Sequence, residues 1–129
     1  MSPLLFICLS VAGGLGAALR FVVDGVVKAH TRAAFPVGTW IINVSGSLLL
    51  GLLAGTTLAF ITSNAIYLVA GTGFLGGYTT FSTASFESVR LLQERRYLAS
   101  LANGLGMAVL CVGAAGLGYW GGYWIGNLA

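Results

Sequence analysis

The sequence predicts an all-α integral membrane protein of four transmembrane helices, the third of them broken, and three observations lead to that class. Of 129 residues, 57% are hydrophobic and only 7% are charged, with a mean hydropathy of +0.93. A soluble domain of this length has too little interior to hide so much apolar surface. A hydrocarbon core of about 30 Å needs roughly 20 helical residues per crossing, so the chain has room for four spans once connectors are subtracted. The third observation is the stretch Gly71 to Glu87, GTGFLGGYTTFSTASFE, which is glycine-rich, carries Thr79, Thr80, Ser82, Thr83 and Ser85, and closes on an acid. Lipid cannot satisfy exposed backbone and hydroxyl groups at this density, so the segment needs protein, ions or water along its polar face. We read it as a broken helix lining a small pathway. Residues 1–129 are expected to form one domain, with spans at about 3–23, 36–61, 65–92 (broken near 76–79) and 97–125.

The first span runs from Pro3 to about Val23. No basic region precedes it, so it reads as a mature helix and not as a signal peptide. Gly13, Gly14 and Gly16 give it a small face that lets another helix come close. Arg20 has two readings: an anchor that snorkels to the membrane edge, or a positive charge near the mouth of an anion path. A polar connector from Asp24 to Phe35 holds Lys28, His30 and Arg32, and the lone histidine reads as solvated.

The second span opens at Pro36, a residue suited to a first helical turn. Asn43 lies well inside it, where an amide either bonds a neighbouring helix or lines a polar path. Gly51 and Gly55 form a small-xxx-small face. The third span starts near Ala65, breaks in the glycine and threonine stretch and resumes through Phe81. The fourth, from about Tyr97, contains Asn103 and repeats glycine every four residues at Gly118, Gly122 and Gly126. Its Tyr119, Trp120, Tyr123 and Trp124 read as an interfacial belt. Cys8 and Cys111 fall inside apolar spans and read as small packing residues, neither a disulfide nor a metal pair.

Charge is placed unevenly. Four spans put Arg20, Lys28, Arg32, Arg90, Arg95 and Arg96, which are all six Lys/Arg residues, on one side of the membrane. The positive-inside rule then places both termini outside the cytoplasm. The net charge of +3 is accordingly assigned to lipid headgroups and topology, and no nucleic-acid partner is expected.

No catalytic set is visible, and the chain is expected not to be an enzyme. It offers neutral hydrogen-bond donors instead: Asn43, Thr79, Thr80, Ser82, Thr83, Ser85 and Asn103. A small anion shedding water needs such donors, whereas fixed positive charge in the path would hold it too tightly for rapid passage. The electropositive edges of Phe81 or Phe86 can also meet an anion, although packing against a helix is the commoner fate of a span phenylalanine. A backbone break frees carbonyl oxygens, which suit a monovalent cation such as Na⁺.

The joint spacing of Gly16-Ala17-Ala18-Leu19-Arg20-Phe21, of Pro36-Val37-Gly38-Thr39 with Asn43 and Gly46-Ser47, and of Gly73-Phe74-Leu75-Gly76-Gly77-Tyr78-Thr79-Thr80-Phe81-Ser82-Thr83 with Glu87 resembles the Fluc (CrcB-type) fluoride channels. The likeness covers all four spans in order. It implies an antiparallel, dual-topology dimer in a bacterial plasma membrane, with two narrow pores that export fluoride passively and confer fluoride resistance. It implies a structural Na⁺ at the dimer centre, held by the backbone carbonyls of Gly76 and Thr79. It places Asn43, Phe81, Ser82, Thr83 and Asn103 along the ion path and Arg20 near its aqueous mouth.

Two features depart from that pattern. The family motif usually carries a second phenylalanine three positions after the first, and here that position is Ala84. Phe86 lies two residues further along, about 200° around a helix axis, and cannot stand in for it. A chain that inserts both ways should also balance its Lys/Arg, and this one does not. Both departures fit one half of a heterodimer, fixed in orientation beside an oppositely inserted homologue. Two other readings remain open here. One is a small proton-coupled drug or cation exporter, disfavoured because the first span has no acid before Asp24. The other is a non-conducting structural subunit of a channel pair, suggested by Ala84.

Overall fold

The computed structural model describes residues 2–128, and all regular structure among them is helical. Helix α1 spans Pro3–His30, α2 Val37–Leu58, and α3 residues 64–78. Helix α4 spans Phe81–Gln93 and α5 Tyr97–Leu128. Within α3 the segment Tyr67–Leu75 is wound as a π-helix, and α5 has a similar stretch at Ala102–Gly106. Three helices, α1, α2 and α5, are long and apolar enough to cross a membrane. Helices α3 and α4 together make the fourth, broken element.

Local chemistry explains the ends. Ser2 caps α1 by accepting from the Leu5 N–H, and Pro3 sits in its first turn. Helix α1 outruns the expected span end at Val23 by about two turns. Asp24 and Lys28 pair at i,i+4, Gly25 stays helical, and the Thr31 N–H and hydroxyl both close on the Val27 carbonyl. Much of the expected connector is therefore helix. At the ends of α2 and α4 the chain turns through Phe60 (φ 62°) and Arg95 (φ 59°). These left-handed residues let the following amides reach back to the Thr56 and Leu91 carbonyls. Arg96 Nη1 then donates to the Ala34 carbonyl at 2.7 Å, so the connector after α1 and the turn before α5 lie side by side at one end of the bundle.

The expected break near 76–79 falls slightly later. Gly76, Gly77 and Tyr78 remain helical, and the chain leaves the helix at Thr79 (ψ 160°) and Thr80 (φ −148°, ψ 120°). Gly77 stays wound because it packs on the backbone of Gly13, while Gly16 packs on Phe74 and Tyr78. The extended conformation goes to the two threonines, whose β-branched side chains favour it.

Glycines carry the packing. Gly51 of α2 meets the Ala115 backbone, and Gly55 meets that of Tyr119 and Tyr123. From α5, Gly118 meets Leu48 and Gly122 meets Leu52 and Thr56. The two small-xxx-small faces thus interleave, and rising numbers on both helices make α2 and α5 parallel. The same reading makes α1 parallel to α3, through Leu9–Gly73 and Gly13–Gly77, as alternate spans must be. Buried hydrophobic side chains are few, namely Ile42, Leu75, Tyr78, Leu91 and Met107, while residues such as Leu4, Phe6, Val112 and Leu117 face outward. Water would not tolerate that distribution, and lipid does.

Candidate functional site

The break between Tyr78 and Phe81 is held by side chains that take over hydrogen bonds a continuous helix would make. In an unbroken helix the Thr80 N–H would donate to the Gly76 carbonyl; here it donates to Asn43 Oδ1 at 2.8 Å. Asn43 Nδ2 returns a bond to the Thr80 carbonyl at 2.9 Å and touches Met107 Sδ at 3.2 Å. The Gly77 carbonyl accepts from Arg20 Nε at 3.2 Å, a cation at a helix C-terminus where negative charge collects. Thr80 caps the next helix, its hydroxyl oxygen accepting from the Thr83 N–H at 3.2 Å.

The carbonyls of Gly76, Tyr78 and Thr79 are consequently left without a donor among the described residues. Of these three residues, Gly76 and Thr79 line an open groove of about 990 Å³, and Tyr78 does not. Among the described residues no cluster of His, Cys, Asp or Glu could hold a metal. The unbonded carbonyl oxygens are uncharged hard donors, of a kind that suits a monovalent cation.

Two cavities flank the break. The groove is also lined by Asn43, Phe81, Ala84, Asn103 and Cys111. On the other side lies a smaller cavity of about 230 Å³, lined by Arg20, Asp24, Thr39 and Thr83 among others. Thr80 is the one residue lining both. The residues expected along an ion path are therefore divided: Asn43, Phe81 and Asn103 on the groove, Arg20 and Thr83 on the smaller cavity. Ser82 lines neither and is exposed, with its hydroxyl 3.4 Å from that of Thr80.

Phe81 is 87% exposed and packs on little within its own chain. Asn103, in contrast, is fully buried. Its Oδ1 accepts from Trp40 Nε1, and its Nδ2 donates to the Ala84 carbonyl and Ser88 Oγ. These bonds join α2, α4 and α5. The amides of both Asn43 and Asn103 bond neighbouring helices, which for Asn43 is one of the two readings its position in a span allows, while both residues border the groove.

Thr39, which has no site role in the sequence pattern, is buried and donates to Glu87 Oε1 at 2.9 Å. Glu87 Oε2 is buried without a hydrogen-bond partner among the described residues. Asp24, read as part of a connector, is helical and borders the smaller cavity.

These features define a small multi-pass α-helical membrane protein organised around a broken helix that borders two cavities. A family profile described as "CrcB-like protein, Camphor Resistance (CrcB)" matches residues 7–119, and the chain belongs to that family. It is 51% identical over 129 residues to "Fluoride-specific ion channel FluC 1" of Leifsonia xyli subsp. xyli, covering 100% of this chain and 91% of that one. It is 48% identical over 106 residues to "Fluoride-specific ion channel FluC 2" of Mycolicibacterium paratuberculosis (82% and 84% covered). With "Fluoride-specific ion channel FluC 1" of Ligilactobacillus salivarius it shares 43% over 119 residues (92% and 96%). All three relatives are named as channels and none as an enzyme, in line with the missing catalytic set.

Proposed function

We propose that this chain is a subunit of a passive, fluoride-selective channel that lets fluoride leave a bacterial cell across the plasma membrane. The observation that carries the reading is the arrangement at Thr80, one hydroxyl residue that borders two cavities, the groove carrying neutral donors such as Asn43 and the smaller cavity carrying Thr39 and Thr83 beside Arg20 and Asp24. Full-length similarity to fluoride-specific channels supplies the ion. A weakly held, partly dehydrated anion needs neutral donors and aromatic edges more than fixed charge. Thr80, Thr83 and Ser82 supply hydroxyls, Phe81 supplies a ring edge, and Asn43 and Asn103 border the route. Arg20 borders the smaller cavity, where its positive charge favours an approaching anion.

The open groove and the outward-facing Phe81 suit a second, oppositely inserted copy or homologue, which would give two pores per pair. The charge bias and Ala84, which borders the groove, favour a homologue over a second copy. In this reading the termini lie outside the cytoplasm. Gly76 and Thr79 would offer their unbonded carbonyls to a sodium ion, and two subunits would offer four such oxygens. When bound, that ion supplies a fixed positive charge that ties the two broken helices together.

Fluoride-electrode recording tests the path. The complex is purified through a tag on this chain and reconstituted in liposomes. Phe81→Ala should slow fluoride efflux by roughly tenfold or more, equivalent to about 1.4 kcal/mol on the barrier. Unchanged efflux would remove Phe81 from the path.

A further inference from the structure

We infer that Asn43 is a positioning residue for the carbonyl site at the break: it keeps the Gly76 carbonyl free to bind a monovalent cation by capturing the Thr80 N–H that would otherwise claim it. The inference rests on the cation reading proposed above and goes beyond it, because the role concerns a side chain that supplies no ligand.

The geometry is specific. A continuous helix pairs the N–H of residue 80 with the carbonyl of residue 76. Asn43 offers an acceptor and a donor at once, and both ends meet the same peptide group pair of Thr80, at 2.8 Å and 2.9 Å. A side chain that only filled space, or only presented a donor to a passing anion, would not need both. In a membrane interior the Thr80 N–H cannot turn to water at no cost, so without Asn43 its nearest in-chain alternative is the Gly76 carbonyl. Closing that bond would rewind one turn, withdraw Gly76 from the groove-lining acceptors and leave Thr79 alone. Arg20 acts in the same sense one residue along, since its bond to the Gly77 carbonyl occupies the group that the next amide would seek. Two of the hydrogen bonds that would re-form the helix are thus blocked from two different helices, α1 and α2.

The role predicts a defect that mass action can repair. The complex purified through a tag on this chain, in detergent, is titrated with sodium chloride at constant ionic strength, with N-methylglucamine as the replacement cation, and its thermal midpoint is followed. Wild type should be stabilised in a saturable way by sodium and not by N-methylglucamine. Asn43→Leu, close in shape but without hydrogen bonds, should raise the half-saturating sodium concentration at least tenfold and approach the wild-type gain in midpoint at saturating sodium. Asn43→Ser, too short to reach both groups of Thr80, should behave likewise and guards against a packing fault particular to leucine. If wild type shows no sodium-specific gain, the cation reading itself fails. If wild type responds and both variants respond at the same sodium concentrations, only the positioning role is overturned. Variants that stay unfolded at every sodium concentration also overturn it, because a general structural loss is not repaired by the cation.

Discussion

Trp40 Nε1 donates to Asn103 Oδ1 at 2.9 Å, and the same amide donates from its other end to the Ala84 carbonyl and Ser88 Oγ on α4. One fully buried side chain therefore pins three helices beside the break. Asn103→Leu would leave the buried indole N–H of Trp40 without a partner and take one donor each from the Ala84 carbonyl and Ser88 Oγ, which keep their bond to each other at 2.8 Å. A buried group without a partner costs about 1–3 kcal/mol, and less inside membrane proteins, where other partners are often found. We expect a total loss of about 1–3 kcal/mol, read as a lower thermal midpoint of the purified complex. An unchanged midpoint would contradict the role.

Two groups of glycines should respond differently to alanine. A Cβ at Gly51, Gly55, Gly118 or Gly122 would meet the backbone of the facing helix, which cannot move aside cheaply, whereas Gly113, Gly116 and Gly121 have nothing near. Alanine in the first group should cost about 1–3 kcal/mol, and in the second it should stay within about 0.5 kcal/mol. Equal effects in the two groups would mean that the α2–α5 contact is not the one described.

How much of this was legible in the sequence depends on the kind of feature. The repeats Gly51/Gly55 and Gly118/Gly122 announced a close helix contact, because spacing of four places small residues on one face, and those faces do meet. The break was legible as a region. Its position was not, because glycine signals freedom without compelling its use: Gly76 and Gly77 are held helical by α1, and Thr79 and Thr80 unwind instead. Pairings across the fold were beyond reach. Nothing local in Thr39 points to Glu87 across 48 residues, or in Asn43 to the backbone of Thr80. Likewise the extension of α1 to His30 depends on the Asp24–Lys28 pair and a cap at Thr31, which a hydropathy profile does not register.

Orientation follows from charge. The bond from Arg96 to the Ala34 carbonyl joins the turn before α5 to the connector after α1, so the Lys and Arg residues of both gather at one end. A reporter fused to the C-terminus of this chain, expressed alone, should read a single side, the one opposite the cytoplasm. A mixed signal from both sides would contradict fixed orientation and favour dual insertion of one chain.

Arg20 should matter to the fold as well as to the anion. Arg20→Gln removes the charge at the end of α3 and the bond to Gly77. We expect a lower thermal midpoint, by about 0.3–2 kcal/mol of stability, together with slower fluoride efflux. A variant that loses flux while keeping full stability would show that Arg20 acts only as an attractor for the ion.

The most direct measurement is ion efflux from liposomes reconstituted with the complex carried by this chain, followed with fluoride and chloride electrodes in parallel. A passive fluoride-selective channel predicts rapid fluoride efflux once potassium is allowed to balance charge, no chloride efflux above that of protein-free liposomes, and no response to an imposed proton gradient. Equal efflux of the two halides, or fluoride movement that depends on the proton gradient, would contradict it.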